Sequence, residues 1–128
     1  MKPWRWIASE IIYAIHDRQI AEHGGLGGIR NGSLIESALA KPQNLAAYKT
    51  PDAAELAAAY AFALVRNHGF VDGNKRTAWI AARLFLEDNG YRIEYEPLGA
   101  IRFMETLAAG SMDEEETVAW FRKRVSLR

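Results

Sequence analysis

Ten residues decide most of what this chain can become: His68-Gly69-Phe70-Val71-Asp72-Gly73-Asn74-Lys75-Arg76-Thr77. They set an imidazole, a carboxylate, a glycine turn and two cations immediately before an apolar helical run that begins Ala78-Trp79-Ile80-Ala81-Ala82. The first N–H groups of a helix have no partner within it and carry partial positive charge, so a phosphate placed there meets oriented donors as well as Lys75 and Arg76. Cations in a first turn oppose the helix dipole and gain nothing locally, and a bound anion is the economical reason for them. An alanine-rich stretch, Ala53 to about Asn67, precedes the motif and reads as a second helix, opened by Thr50-Pro51-Asp52 with Asp52 or Thr50 as cap. The connection from His68 to Gly73 is short, so the two helix ends must lie together as a hairpin. Phe70 is the residue expected to anchor that connection in the core.

The remainder of the chain is predicted to be mostly helical. Ile7, Ile11, Ile15 and Ile20 recur near helical spacing and place a helix of about four turns over Trp6–Ile20, stopped at His23-Gly24-Gly25. Ser33-Leu34-Ile35-Glu36 has the form of a capping box and predicts a short helix to about Ala40, ended by Pro42. The helix after the motif is expected from Asn74 to Asp88 with its stop at Asn89-Gly90; Tyr91–Tyr95 alternates like a brief strand with no clear partner. Helices over Leu98–Ala109 and Asp113–Val125 complete an all-α fold of about six helices with the loop between the two central ones. In the last helix, Glu114 to Glu116 come first and Arg122 to Arg124 last, the charge order its dipole favours, which gives that basic cluster a structural explanation.

Composition limits the setting. With 128 residues, 49% of them apolar and no repeat or linker, residues 1–128 are expected to form one domain. Sixteen basic residues balance sixteen acidic ones, which argues against a protein whose main task is gripping nucleic acid. Cysteine is absent, excluding disulfides, thiolate metal sites and a cysteine nucleophile. The longest apolar run, Leu56–Val65, has ten residues and is too short to span a bilayer; a soluble, cytoplasmic protein is expected. Three other motifs fail. Gly25-Leu26-Gly27-Gly28 lacks the third glycine and the preceding strand of a dinucleotide fingerprint and reads as a mobile turn, while Gly73-Asn74-Lys75-Arg76-Thr77 misses P-loop spacing. His16-Asp17 lacks the upstream histidine of a metal-dependent phosphohydrolase. Asn74 is open to two readings, helix cap or amide donor to a phosphate.

His-Gly-Phe-Val-Asp-Gly-Asn-Lys-Arg, residues 68–76, resembles the Fic-type motif, and the lysine between asparagine and arginine is similar to the death-on-curing (Doc) branch. Ile15-His16, His23-Gly24-Gly25, Gly28-Ile29-Arg30, the run Leu34–Gln43 and Arg66 extend the likeness to Doc-type toxins over most of the chain. The resemblance implies His68 as general base, Asp72 as holder of Mg²⁺, and Arg76 opposite the charge of a transferred group. Arg66, Gly73, Asn74, Lys75 and Arg76 then contact the nucleotide, ATP. Nucleotide-transferring members usually have glycine where Lys75 stands and a second arginine where this chain has Trp79; both departures disfavour presenting the α-phosphate. The Doc branch implies a protein kinase that phosphorylates a threonine of elongation factor Tu, with nucleotidyl transfer or a non-catalytic phosphate-binding module as alternatives. It also implies an antitoxin whose flexible segment folds to a helix in a groove lined by the first helix and the Gly24–Arg30 turn.

Overall fold

The computed structural model describes residues 3–128. Among them are six helices: α1 Ser9–His23, α2 Gly32–Tyr48, α3 Ala53–Asn67, α4 Asn74–Asp88, α5 Pro97–Ala108 and α6 Glu114–Arg122. The all-α architecture with the motif between two central helices is as the sequence led one to expect.

Helix α3 is the axis. It packs against α2, α4 and α6, and Leu56, Ala57, Tyr60, Ala61 and Val65 are wholly buried. Its start is fixed by a reciprocal cap: the Asp52 carboxylate accepts from Glu55 N–H at 2.9 Å while the Glu55 carboxylate accepts from Asp52 N–H at 3.2 Å. Asp113 and Glu116 repeat the device at α6. Arg122 at the end of α6 reaches back to Asp52 at 2.9 Å and Glu55 at 3.3 Å, tying that end to the cap of α3. Phe85 of α4 lies in an aromatic cluster with Trp4, Trp6 and Tyr60 at centroid distances of 5.8, 5.8 and 5.2 Å. A fully buried ring of this kind contributes roughly 1.5–3 kcal/mol through its area alone.

Four sequence expectations need correction. Helix α1 begins at Ser9, not Trp6. The backbone ahead of it is taken by side chains of α4's end and of the core: Asn89 accepts from Arg5 N–H and donates to Arg5 C=O, and the buried Tyr60 hydroxyl accepts from Ile7 N–H. Helix α2 runs through Pro42 to Tyr48. An internal proline costs a helix about 3 kcal/mol, but here its ring is buried along with Ile35, Ala38 and Leu39, and packing outweighs the lost bond. Asn31, not Ser33, caps α2 through Leu34 N–H, and Glu36 instead accepts from the Tyr13 hydroxyl. Finally, the strand β1 (Tyr91–Ile93) does have a partner: β2 (Val125–Leu127) pairs with it antiparallel, Arg92 opposite Ser126, so α6 stops at Arg122.

Candidate active site

The motif joins two unusual backbone conformations. His68, directly after α3, takes φ 48° and ψ 49°, the sole non-glycine with positive φ among the described residues. Gly73, directly before α4, has φ 78°. A side-chain-bearing residue in the left-handed region costs about 1–2 kcal/mol, and such strain concentrates where function requires it. Between these points Phe70 is buried as expected, at 2% exposure. Its N–H donates to the Asn74 side-chain oxygen at 3.2 Å and its C=O accepts from the Asn74 side-chain amide at 3.0 Å, so one asparagine closes the loop on itself.

Three further contacts hold the loop from outside. The His16 ring stacks on Phe70 at 3.8 Å and 8°, and its Nε2 lies 2.7 Å from Asp72 C=O. The Gly24–Arg30 segment is no mobile turn: Arg30 and Asn31 N–H both donate to Gly69 C=O, Val71 N–H donates to Gly28 C=O, and Ile29 bridges Phe70. Arg30 Nε donates to His68 C=O at 2.7 Å and Nη2 to Asn67 C=O at 3.3 Å, placing a cation on the negative end of α3. Gly69 is required by space, because a Cβ there would run into Ile35 Cγ1.

With the backbone fixed, the side chains of His68, Asp72, Lys75 and Arg76 are exposed on one short loop and helix start. Among the described residues, Lys75 and Arg76 make no ion pair, the nearest carboxylate in sequence being engaged elsewhere. Asp72 Oδ1 accepts from Gly73 N–H at 2.9 Å and Oδ2 from Leu26 N–H at 3.3 Å. The first bond inside α4 runs from Thr77 N–H to Gly73 C=O, so the N–H groups of Asn74, Lys75 and Arg76 have no helical acceptor. Two predicted residues are committed differently. The Asn74 side chain serves Phe70, which leaves only its backbone N–H toward a ligand. Arg66 turns from the loop: its guanidinium lies over the Phe62 ring at 4.6 Å and donates to the C=O groups of Leu107 and Met112.

Sequence reading passed over His16 and Arg30 as parts of the site. A signal for His16 exists, since Ile12, His16 and Gln19 share one helical face and all three are buried; nothing local marks Arg30. A concavity of about 1010 Å³ between α2, α3 and α6 is lined by residues including Lys41, Phe62, Arg66 and Arg122 but by none of residues 68–77. The exposed motif side chains stand on an open ledge apart from that concavity. As a holder of Mg²⁺, Asp72 is suitable: it is an exposed single carboxylate with one backbone donor on each oxygen, and Mg²⁺ is commonly held by one or two carboxylates together with substrate phosphates.

Comparison with known proteins places these residues in context. The Fic/DOC family model matches residues 6–86, from the segment before α1 to the last turns of α4. The protein kinase doc of Escherichia phage P1 is 38% identical over 94 residues, covering 73% of this chain and 75% of the phage protein. Toxin Doc of Mycolicibacterium smegmatis is 45% identical over 74 residues; the alignment spans 55% of each, about half the length of that relative.

Proposed function

The chain belongs to the Fic/DOC family, and from that premise we propose that it is a toxin acting as a protein kinase: it transfers the terminal phosphoryl group of ATP to a threonine or serine hydroxyl of a translation factor, elongation factor Tu by resemblance, and so halts translation. The toxin class is supported by the relatives named toxin Doc and protein kinase doc. The observation that carries the phosphoryl site is the α4 start, where three N–H groups without helical acceptors and the exposed Lys75 and Arg76 side chains stand six to eight residues beyond an exposed His68.

In this reading the His68 imidazole accepts the proton of the target hydroxyl. The hydroxyl oxygen bonds to the γ-phosphorus as the bond from that phosphorus to the β–γ bridging oxygen breaks, and ADP leaves with the electron pair. The N–H groups of Gly73, Asn74, Lys75 and Arg76 orient the phosphoryl oxygens, and the Arg76 side chain offsets the charge gathering on them. Asp72 would hold Mg²⁺, which would supply neutralisation of phosphate charge. Lys75 occupies the space along the loop that a triphosphate tail needs if the α-phosphate is to face His68, which favours kinase over nucleotidyl transfer. Arg66, anchored 41 residues away on Leu107 C=O, contributes by bracing α3 rather than by touching phosphate. Residues 1–128 act as one domain in the cytoplasm, and a cognate antitoxin restrains them through a segment that folds to a helix on binding.

Incubating the protein and its His68→Ala variant with purified translation factors and ATP labelled at either the α- or the γ-phosphate tests the proposal. Transfer of γ-label that disappears in the variant is expected. Transfer of α-label would replace the kinase by a nucleotidyl transferase, and neither label moving while phosphate still binds would leave a binding module.

A further inference from the structure

His16 has no part in the transfer just described, yet it is the largest buried polar side chain next to the loop, 2% exposed. Its Nδ1 lies 3.9 Å from the exposed Asp17 carboxylate, beyond hydrogen-bond reach. Its Nε2 lies 2.7 Å from Asp72 C=O. A carbonyl oxygen can only accept, so Nε2 carries the hydrogen. The same ring stacks on Phe70 at 3.8 Å, and a Cβ added at Gly73 would sit 3.5 Å from it. One imidazole thus packs beneath both ends of the turn Phe70–Gly73.

The planar trans peptide gives this contact a consequence. Within the Asp72–Gly73 unit the C=O and N–H point in opposite directions. Anchoring Asp72 C=O inward on a buried donor therefore aims Gly73 N–H outward, to the side where the Asp72 carboxylate now accepts it at 2.9 Å. Without the anchor, glycine's wide conformational range lets that peptide turn over. A carbonyl oxygen would then face the ledge where a phosphoryl oxygen is to bind.

We propose that His16 is a positioning residue of the anion site: as the Nε2–H tautomer it locks the Asp72–Gly73 peptide so that the Gly73 N–H faces the incoming phosphoryl group. The inference rests on reading the loop as a phosphoryl site and adds a residue from α1, 56 positions away in sequence, to its machinery.

Two variants separate the donor from the stacked ring. His16→Phe keeps an aromatic ring against Phe70 and removes the donor; His16→Gln restores an N–H without the ring. With inorganic phosphate and ATP as probes on the full chain, His16→Phe is expected to bind about five- to tenfold more weakly. The KM for ATP in γ-transfer should rise by a similar factor while kcat changes less, and His16→Gln should recover much of the loss. In ¹H–¹⁵N spectra the Gly73 amide should shift and lose exchange protection in His16→Phe, and the His16 ring of the natural chain should show hydrogen on Nε2. Unchanged phosphate affinity and an unmoved Gly73 amide in His16→Phe, or hydrogen on Nδ1 alone, overturn the positioning role. A natural chain that binds no phosphate while Gly73 still moves in the variant overturns the proposal through its premise, the anion site.

Discussion

Arg30 Nε lies 2.7 Å from the carbonyl oxygen of His68. The arginine thereby grips, at the point where α3 ends, the one non-glycine residue with a left-handed backbone among the described residues. The contact joins the Gly24–Arg30 segment to the proposed general base and makes the aim of the imidazole depend on a residue 38 positions upstream.

Replacing Arg30 should therefore act on both stability and chemistry. Arg30→Ala removes two charge-assisted bonds at a helix C-terminus, a loss of about 1–2 kcal/mol. Urea denaturation measures that loss. Phosphoryl transfer should fall further than the lost stability explains, and added guanidinium ion should restore part of it.

At His68 itself stability and activity should move in opposite directions. His68→Gly relieves the left-handed strain and should stabilise the fold by about 1 kcal/mol. The same substitution should abolish γ-label transfer. A variant that melts lower than the natural chain would contradict the strained conformation.

Gly69 allows no side chain. The Cβ of Gly69→Ala would strike Ile35 and also approach its backbone nitrogen at 3.2 Å, and overpacking of this kind costs roughly 1–3 kcal/mol. Combining it with Ile35→Ala frees the side-chain space but not the backbone approach. The double variant should thus recover only part of the difference from Ile35→Ala alone, as chemical denaturation of all four proteins can report.

Alkaline pH should weaken the fold through Tyr60. Burial holds this phenol above the ordinary tyrosine range, with the bond from Ile7 N–H opposing the shift. The unfolded chain ionises first, so the contribution is fully present below about pH 10 and is lost as the pH rises through the folded value. Tyr60→Phe should flatten that decline while costing about 1–3 kcal/mol at neutral pH, because Ile7 N–H loses its acceptor. Unfolding free energies across pH 8 to about 11 check both parts.

Legibility in the sequence followed the range of the forces involved. The ends of α3 and α4 are readable because local chemistry sets them: the Asp52 cap at one start, Asn89-Gly90 at one stop. Phe70 was readable as an anchor because a lone ring in a short polar loop has few other uses. Pro42 misled because its local cost is outweighed by burial in the face that α2 packs on α3, and β1 looked partnerless because β2 lies more than thirty residues beyond it. The exposed parts of the motif, His68, Asp72, Lys75 and Arg76, stand together as their spacing suggested. Its supports, His16 and Arg30, come from elements whose proximity only tertiary packing creates, and Arg66 is drawn away from the loop by the carbonyls of Leu107 in α5 and Met112 beyond it.

The two helices that flank the motif are seamed with fully buried alanines, Ala57 and Ala61 in α3 and Ala78, Ala81 and Ala82 in α4. A methyl group is the smallest spacer a chiral residue offers, so these helices have already closed to near their limit. Any larger side chain at such positions would prise the hairpin open, and glycine would loosen the helices that form it. Evolution can retune the ledge by exchanging what projects from it, while its width is held by these small residues.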